Sequence, residues 1–174
     1  MRETGVRLNA LSYTAGISAA QRQGDSQLAL SLYSEMEAAA LPPNALAGGA
    51  AVTAQAASLR WQDALSTLAR LAAQQVAPRT AAFNEAMRAC VAAEQWREAV
   101  RLHARMVEGG VRADGTTLAL AVEAHGALGE WRAAATLLEQ IAAAGYRPPA
   151  ATLQPALKAA LGACRAAKQW RIAL

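Results

Sequence analysis

The chain has 174 residues, enough for a domain with its own core, and 54% of them are apolar but only 5% aromatic. Because much of the apolar share is alanine, the best helix former, the composition favours an all-α protein of small, tightly stacked helices. The net charge of +4 is compatible with a polyanionic partner or with an ordinary soluble surface. The two cysteines lack zinc-type spacing and are too few for a disulfide framework, so both kinds of site are excluded. No apolar run is long enough to span a membrane.

A 35-residue period runs along the chain. Tryptophan marks it, since Trp61, Trp96, Trp131 and Trp170 each open a similar segment, with spacings of 35, 35 and 39 residues. One period before Trp61, Ser26 opens the same pattern without the indole ring. Agreement at a fixed period is the signature of a repeat protein.

The register divides the chain into repeats. Residues 1–9 are the end of one repeat, 10–44, 45–79, 80–114 and 115–149 are full repeats, and 150–174 are a partial, irregular one. A bulky apolar column supports the alignment, formed by Ile17, Val52, Met87, Val122 and Leu161. The 39-residue spacing places four additional residues in the last copy, around Pro148–Ala151.

Each repeat is predicted to be a pair of helices. In repeat 80–114 the first helix carries Phe83, Met87 and Cys90 on one stripe, and the second runs from Trp96 to about Glu108. A helical hairpin of this kind cannot bury its own apolar stripe, so neighbouring hairpins must stack. We therefore expect an all-α superhelical solenoid with first helices on its concave face.

The two ends of the chain lack the caps that solenoids normally need. Residues 1–9 align with residues 106–114, and Leu174 aligns with Val100, so both ends fall within a second helix of the pattern. We expect an interior segment of a longer protein, open at both ends, and draw no targeting inference from Met1.

The repeat resembles the pentatricopeptide repeat (PPR) family. It shares the 35-residue period, the paired helices and a glycine-hydrophobic-x-proline ending, as in 145–148, and residues 11–19 are similar to that family's first helix. The tetratricopeptide family, the nearest competitor, has a 34-residue period and carries its tryptophan in the first helix. The resemblance implies a right-handed superhelical solenoid that binds single-stranded RNA.

In the family, each repeat contacts one base through side chains at the fifth and last positions. By this resemblance Thr14 with Asn44 contacts adenine, and Asn84 with Asp114 contacts uracil, which predicts an A-n-U target. Asn44 and Asp114 also have the chemistry of ordinary helix N-caps.

The remaining repeats depart from that pattern. Repeat 45–79 offers Gly49 with Arg79, and repeat 115–149 offers Ala119 with Pro149; neither pair is expected to discriminate a base. Counting back from Trp170 places Lys158 at the fifth position of the last copy.

Other side chains are assigned supporting roles. The resemblance implies that aliphatic residues at the second position wedge bases, which fits Leu11 and Leu46, and Arg88 and Lys158 are candidates for weak phosphate contact. We expect packing roles for the tryptophans, His103, His125, Cys90 and Cys164, and a solvated face, or phosphate contact, for Arg97, Arg101 and Arg105.

No carboxylate pair, Ser/His/Asp set or phosphate-binding glycine loop is visible in the sequence. The sequence thus predicts a non-enzymatic, single-stranded RNA-binding segment without cofactor, metal or small-molecule substrate. By resemblance it would act in an organelle, plastid or mitochondrion, in RNA processing, stability or translation. The alternative is a scaffold subunit of a large organellar assembly, such as a ribosome or membrane complex, that binds protein.

Overall fold

The computed structural model describes residues 9–167, and every regular element in that range is an α-helix. The helices are α1 (Ala10–Arg22), α2 (Ser26–Ala38), α3 (Ala45–Ala57), α4 (Trp61–Ala73), α5 (Thr80–Ala92), α6 (Trp96–Glu108), α7 (Gly115–Ala127), α8 (Trp131–Ala143) and α9 (Ala150–Ala166). Odd-numbered helices open a repeat and even-numbered helices complete it. The chain divides after Ala82 into two compact units, the first holding α1 to α4 and the second holding α6 to α9.

Helices α1 to α8 end in the same way. After each helix, one residue has a positive φ, and the next residue's N–H donates to the carbonyl five positions back, as Val111 does to Met106 at 3.0 Å. This arrangement satisfies carbonyls that the helix end leaves free. The positive-φ residue is a glycine after four of the eight helices, but Ala40, Leu59, Gln75 and Glu94 adopt the same conformation with φ of 53° to 59°. The turn is therefore set by the repeat.

In the first unit, α1 packs on α2 and α3, and α3 packs on α2 and α4. The core combines Ile17, Tyr33 and Met36 with alanines of α1, α2 and α3. Small residues let the helices approach closely: a Cβ built on Gly48 would lie 2.6 Å from the side chain of Leu71. The alanine-rich composition thus gives the short interhelical distances that it predicts.

In the second unit, α7 is buried on nearly every side, with α6, α8 and α9 packed against it. It approaches α9 closely at Gly126, where a Cβ would lie 2.6 Å from the backbone carbon of Ala159. Helices stacked pairwise in this repeating order confirm the predicted fold class, an all-α helical-repeat solenoid.

The last described helix corrects the sequence interpretation. The extra four residues do not lie around Pro148–Ala151, since α9 begins at Ala150 in register with α7 and is 17 residues long where α7 has 13. They form an additional turn, and the buried residues of α9 follow one stripe: Thr152, Ala156, Ala160, Ala163 and Cys164. Leu161, predicted for the buried apolar column, is 38% exposed.

The extra turn also changes the position of Lys158. Counted from the start of α9, the fifth residue is Gln154, and Lys158 lies one turn further along the same face; both are exposed. Counting back from Trp170 gave the other assignment because it assumed helices of equal length. Trp170 and the aligned segments at the two chain ends lie outside the described residues. Between residues 9 and 167, no helix is long and apolar enough to cross a membrane.

Candidate nucleic-acid interface

The fifth and last residues of repeat 80–114 are in direct contact. Asn84 lies in α5 and is 6% exposed, while Asp114 immediately precedes α7. The Asn84 amide Nδ2 donates to both carboxylate oxygens of Asp114, at 3.1 and 3.2 Å. The structure therefore brings this predicted pair together; its contact with a base stays a prediction.

Thr117 in α7 completes the arrangement. Its hydroxyl donates to Asn84 Oδ1 at 2.7 Å and also lies 3.0 Å from Asp114 Oδ1. Its backbone N–H donates to Asp114 Oδ1 at 2.9 Å, and its hydroxyl accepts from the Asp114 N–H, which makes a reciprocal cap on α7. Sequence reasoning missed Thr117, although a threonine three positions after an N-cap aspartate is a recognisable signal. The cap and the candidate site are one network.

The network determines the ionisation of Asp114. Partial burial opposes the charge, but hydrogen bonds from the Thr117 N–H, the Asn84 amide, the Thr117 hydroxyl and the Thr116 N–H outweigh it and hold the pKa of Asp114 below its ordinary value. The carboxylate is therefore charged at neutral pH and acts only as an acceptor.

This lowered pKa predicts a pH-dependent contribution to stability. A carboxyl whose folded pKa is below its unfolded value stabilises the protein above the unfolded pKa, and this stabilisation is lost as the pH falls through the folded pKa. We expect the difference in free energy of unfolding between the wild type and Asp114→Asn to shrink as the pH is lowered from about 6 to about 3. Urea unfolding at a series of pH values checks this. A constant difference across the series would contradict it.

The pair predicted in repeat 10–44 differs. The Thr14 hydroxyl is buried and donates to the Ala10 carbonyl in its own helix at 2.7 Å. Asn44 is exposed and caps α3, with Oδ1 accepting from the N–H groups of Leu46 and Ala47 at 3.1 and 2.8 Å. Within the described residues no hydrogen bond joins Thr14 to Asn44. Only the Asn44 amide group faces solvent for a ligand.

The two predicted wedge residues are exposed apolar side chains. Leu11 is 73% exposed and Leu46 is 49% exposed, so both side chains are accessible to a ligand. Of the two candidate phosphate contacts, Arg88 is exposed and lies 3.5 Å from the Glu85 carboxylate, and Lys158 is exposed on α9.

An open cavity of about 430 Å³ lies beside Leu46 in the first unit. Residues of α1, α3 and the segment that enters α5 line it: Ser18, Gln21, Arg22, Ala45, Leu46, Gly49, Ala50, Thr53, Arg79, Ala81 and Ala82. Both charged residues in this set are arginines. Gly49 in this lining is the fifth residue of repeat 45–79. Its counterpart in repeat 115–149 is Ala119, which is fully buried.

The residues expected to pack have mixed environments. Trp61, Trp96 and Trp131 are each half-buried at the start of a second helix, and both cysteines are buried and free. Burial, and secondarily the charge of Glu98, raises the pKa of Cys90 to about 11, so its thiol is protonated at neutral pH.

The histidines lie in the second unit. His125 Nδ1 is 2.5 Å from Glu130 Oε2. Burial, and then the charge of His125, lowers the pKa of His103. No group of three His, Cys, Asp or Glu residues that could hold a metal ion occurs among residues 9–167.

Two family models match the sequence. One, described as a pentatricopeptide repeat domain, matches residues 1–47, and one described as a PPR repeat matches residues 81–111. The chain therefore contains pentatricopeptide repeats. The PPR assignment from the tryptophan and glycine columns is thereby confirmed. No curated protein sequence matches the chain.

Solved PPR structures share the fold. The pentatricopeptide repeat protein PPR10 from maize superimposes with a TM-score of 0.69 at 16% identity, covering 99% of this chain and 24% of its own. Its complex with an 18-nt psaJ RNA element gives 0.66 at 21% identity, covering 97% and 24%. The PPR domain of Arabidopsis thaliana protein-only RNase P 1, in complex with tRNA, gives 0.70 at 16% identity, covering 90% and 81%. This chain thus spans about a quarter of maize PPR10.

Proposed function

We propose that this PPR chain binds single-stranded RNA, about one base per repeat, and catalyses no reaction through these residues. The observation that carries the proposal is the contact of Asn84 with Asp114, at 3.1 Å across 30 residues of sequence. A polar pair held at a repeat boundary, with Thr117 fixing both members, has the rigidity that base recognition requires.

The donors and acceptors of this pair suit uracil. The uracil Watson–Crick edge presents one N–H between two carbonyl oxygens. Ionised Asp114 would accept that N–H, and the Asn84 amide would donate to a neighbouring carbonyl. Because Asn84 is almost fully buried, Asp114 would provide most of the exposed contact.

Repeat 10–44 would contact adenine mainly through Asn44. Its Oδ1 is used by the α3 cap, which leaves the amide N–H groups to donate to the adenine ring nitrogen N1. Thr14 would position the contact by its bulk, because its hydroxyl is already bonded to Ala10. Exposed Leu11 and Leu46 would pack against the faces of the bases, and Arg88 and Lys158 would contact phosphates.

Relatives of the same fold support an RNA partner. Solved PPR structures include maize PPR10 with an RNA element and the RNase P 1 PPR domain with tRNA. We further propose that the parent protein acts in organellar RNA processing, stability or translation, in a plastid or mitochondrion.

Titration of the chain with short RNAs tests the proposal. We expect an RNA containing A-n-U to bind about tenfold more tightly than an otherwise identical RNA with the A or the U replaced. Asp114→Asn retains an N-cap but replaces an acceptor by a donor, so the preference at that place should change from uridine to cytidine. Asn44→Asp, which also retains its cap, should lose the preference for adenosine and leave the uridine preference intact. RNAs bound with equal affinity by all three proteins would refute base recognition.

A protein scaffold is the second candidate function. It is favoured by repeat 115–149, where Ala119 is fully buried and Pro149 offers no side-chain polar group. Salt dependence separates the two functions, because phosphate contacts release counterions and weaken steeply as salt rises. Absence of RNA binding at low salt would favour the scaffold.

A further inference from the structure

We propose that Glu123 repels the phosphate backbone of bound RNA at repeat 115–149 and so determines where along the RNA tight binding ends. This inference rests on the proposed function. It gives a role to a repeat whose fifth and last residues, Ala119 and Pro149, offer no expected base contact, and it concerns the second unit.

Glu123 lies on an accessible strip of a helix that is otherwise mostly buried. Helices α6, α8 and α9 pack against α7, and residues 117–122 are all buried. Thr116, the second residue of the repeat, and Glu123 are both partly exposed. Because they are seven residues apart, they lie on the same face of the helix. Glu123 is therefore the charge that α7 presents beside the second position.

Glu123 is the ninth residue of its repeat, and the first unit shows which way this position faces. There the ninth residues are Ser18 and Thr53, and both line the open cavity beside Leu46. The ninth position thus borders the same surface as the second position. A charge at this place acts on a ligand that lies along the first helices.

The charges at the ninth position alternate in the second unit. Arg88 holds it in repeat 80–114, Glu123 in the next repeat and, counted from the start of α9, Lys158 in the last copy. The two basic residues are exposed and are the candidate phosphate contacts. An RNA backbone that continued from one to the other would pass a carboxylate of like charge.

The charge of Glu123 is not compensated within the protein. Among residues 9–167 no hydrogen bond or ion pair involves its carboxylate, and Arg88 lies instead 3.5 Å from Glu85. Burial raises the pKa of Glu123, because the charged form loses solvation. The ordinary glutamate pKa lies far below neutral pH, so the side chain remains negative there. A partly desolvated carboxylate repels phosphate more strongly than a hydrated one, because less water screens it.

Two RNAs of equal length and composition test this assignment, A-C-U-C-C and C-C-A-C-U. With A at repeat 10–44 and U at repeat 80–114, only the nucleotides on the 3′ side of the U reach repeat 115–149. We expect Glu123→Gln to bind A-C-U-C-C about threefold to tenfold more tightly than the wild type at low salt. Its affinity for C-C-A-C-U should be unchanged.

A lysine variant and a matched control sharpen the test. Glu123→Lys should tighten A-C-U-C-C further and steepen the salt slope by about 0.7, the value for one added contact to a single strand. Glu139→Gln removes the same charge from an exposed place on α8 and should change neither affinity. Circular dichroism checks that the variants keep their helices.

Three outcomes would overturn the inference. An equal gain for both RNAs would show that Glu123 acts only through net charge. An unchanged or weaker affinity of Glu123→Gln for A-C-U-C-C would show that its carboxylate does not repel the backbone. Both results leave the proposed function standing, because the wild type still binds A-C-U. Absence of binding to either RNA by the wild type would overturn the proposed function and this inference with it.

Discussion

Gly126→Ala will destabilise the protein by about 2–3 kcal/mol, measured as the free energy of unfolding in urea. A Cβ at this position would lie 2.6 to 2.8 Å from the backbone carbon of Ala159, its Cβ and the Ala160 backbone nitrogen. Backbone atoms cannot rotate out of the way, so α7 and α9 must separate, and the contacts between them weaken. This loss exceeds the gain of about 0.5–1 kcal/mol that alanine brings to a helix interior.

Gly162→Ala is the matched control for that prediction. Gly162 also lies within a helix, α9, but a Cβ added there would have no neighbouring atom within 4 Å. The substitution should stabilise the chain by about 0.5–1 kcal/mol through helix propensity alone. Equal effects at the two glycines would show that α7 and α9 do not approach as closely as described.

Thr117→Val will cost about 2–3 kcal/mol of stability. Valine has nearly the shape of threonine, so the substitution removes a hydroxyl from a buried position without opening a cavity. It leaves Asn84 Oδ1 without the hydroxyl that donates to it and breaks the reciprocal cap with Asp114. An unsatisfied buried acceptor accounts for most of the cost.

Thr152→Val in α9 is the control for the hydroxyl. Thr152 holds the same place in its repeat and is also buried, but within the described residues its hydroxyl makes no hydrogen bond. We expect a change of about 0.5 kcal/mol or less in the free energy of unfolding.

An Asn84→Ala substitution should reduce the free energy of unfolding by less in the Thr117→Val background than in the wild type, because Asn84 and Thr117 share one hydrogen-bond network. Additive losses would contradict the coupling.

The two predicted base-contacting pairs look equivalent in the sequence but differ in the structure. The difference follows from the residue three places after each last position: Thr117 follows Asp114, whereas Ala47 follows Asn44. Alanine offers no hydroxyl that could bind both members of the pair. Thr14 also has a shorter side chain than Asn84, and its hydroxyl bonds to its own helix. The alignment of the repeats therefore predicted where the fifth and last residues lie, but not whether their side chains contact each other.

Repeat 45–79 shows a second difference between sequence and structure. Gly49 with Arg79 matches no expected pair, so sequence reasoning assigned it no base. The cavity that the missing side chain leaves, and the arginines that border it, depend on how α1, α3 and the start of α5 are placed. A rule based on two residue types cannot contain this information.

The sequence by itself determined the period, the helix pairs and their ends. These depend on interactions within about five residues of chain, such as caps, glycine-type turns and apolar stripes, which recur wherever the residues recur. Tertiary structure alone decided that the four extra residues lengthen α9, that Gly126 lies against the α9 backbone, and that Asn84 binds Asp114 and Thr117. The contacts of Gly126 and of Asn84 join residues some thirty positions apart, and the register of the repeat does not specify them.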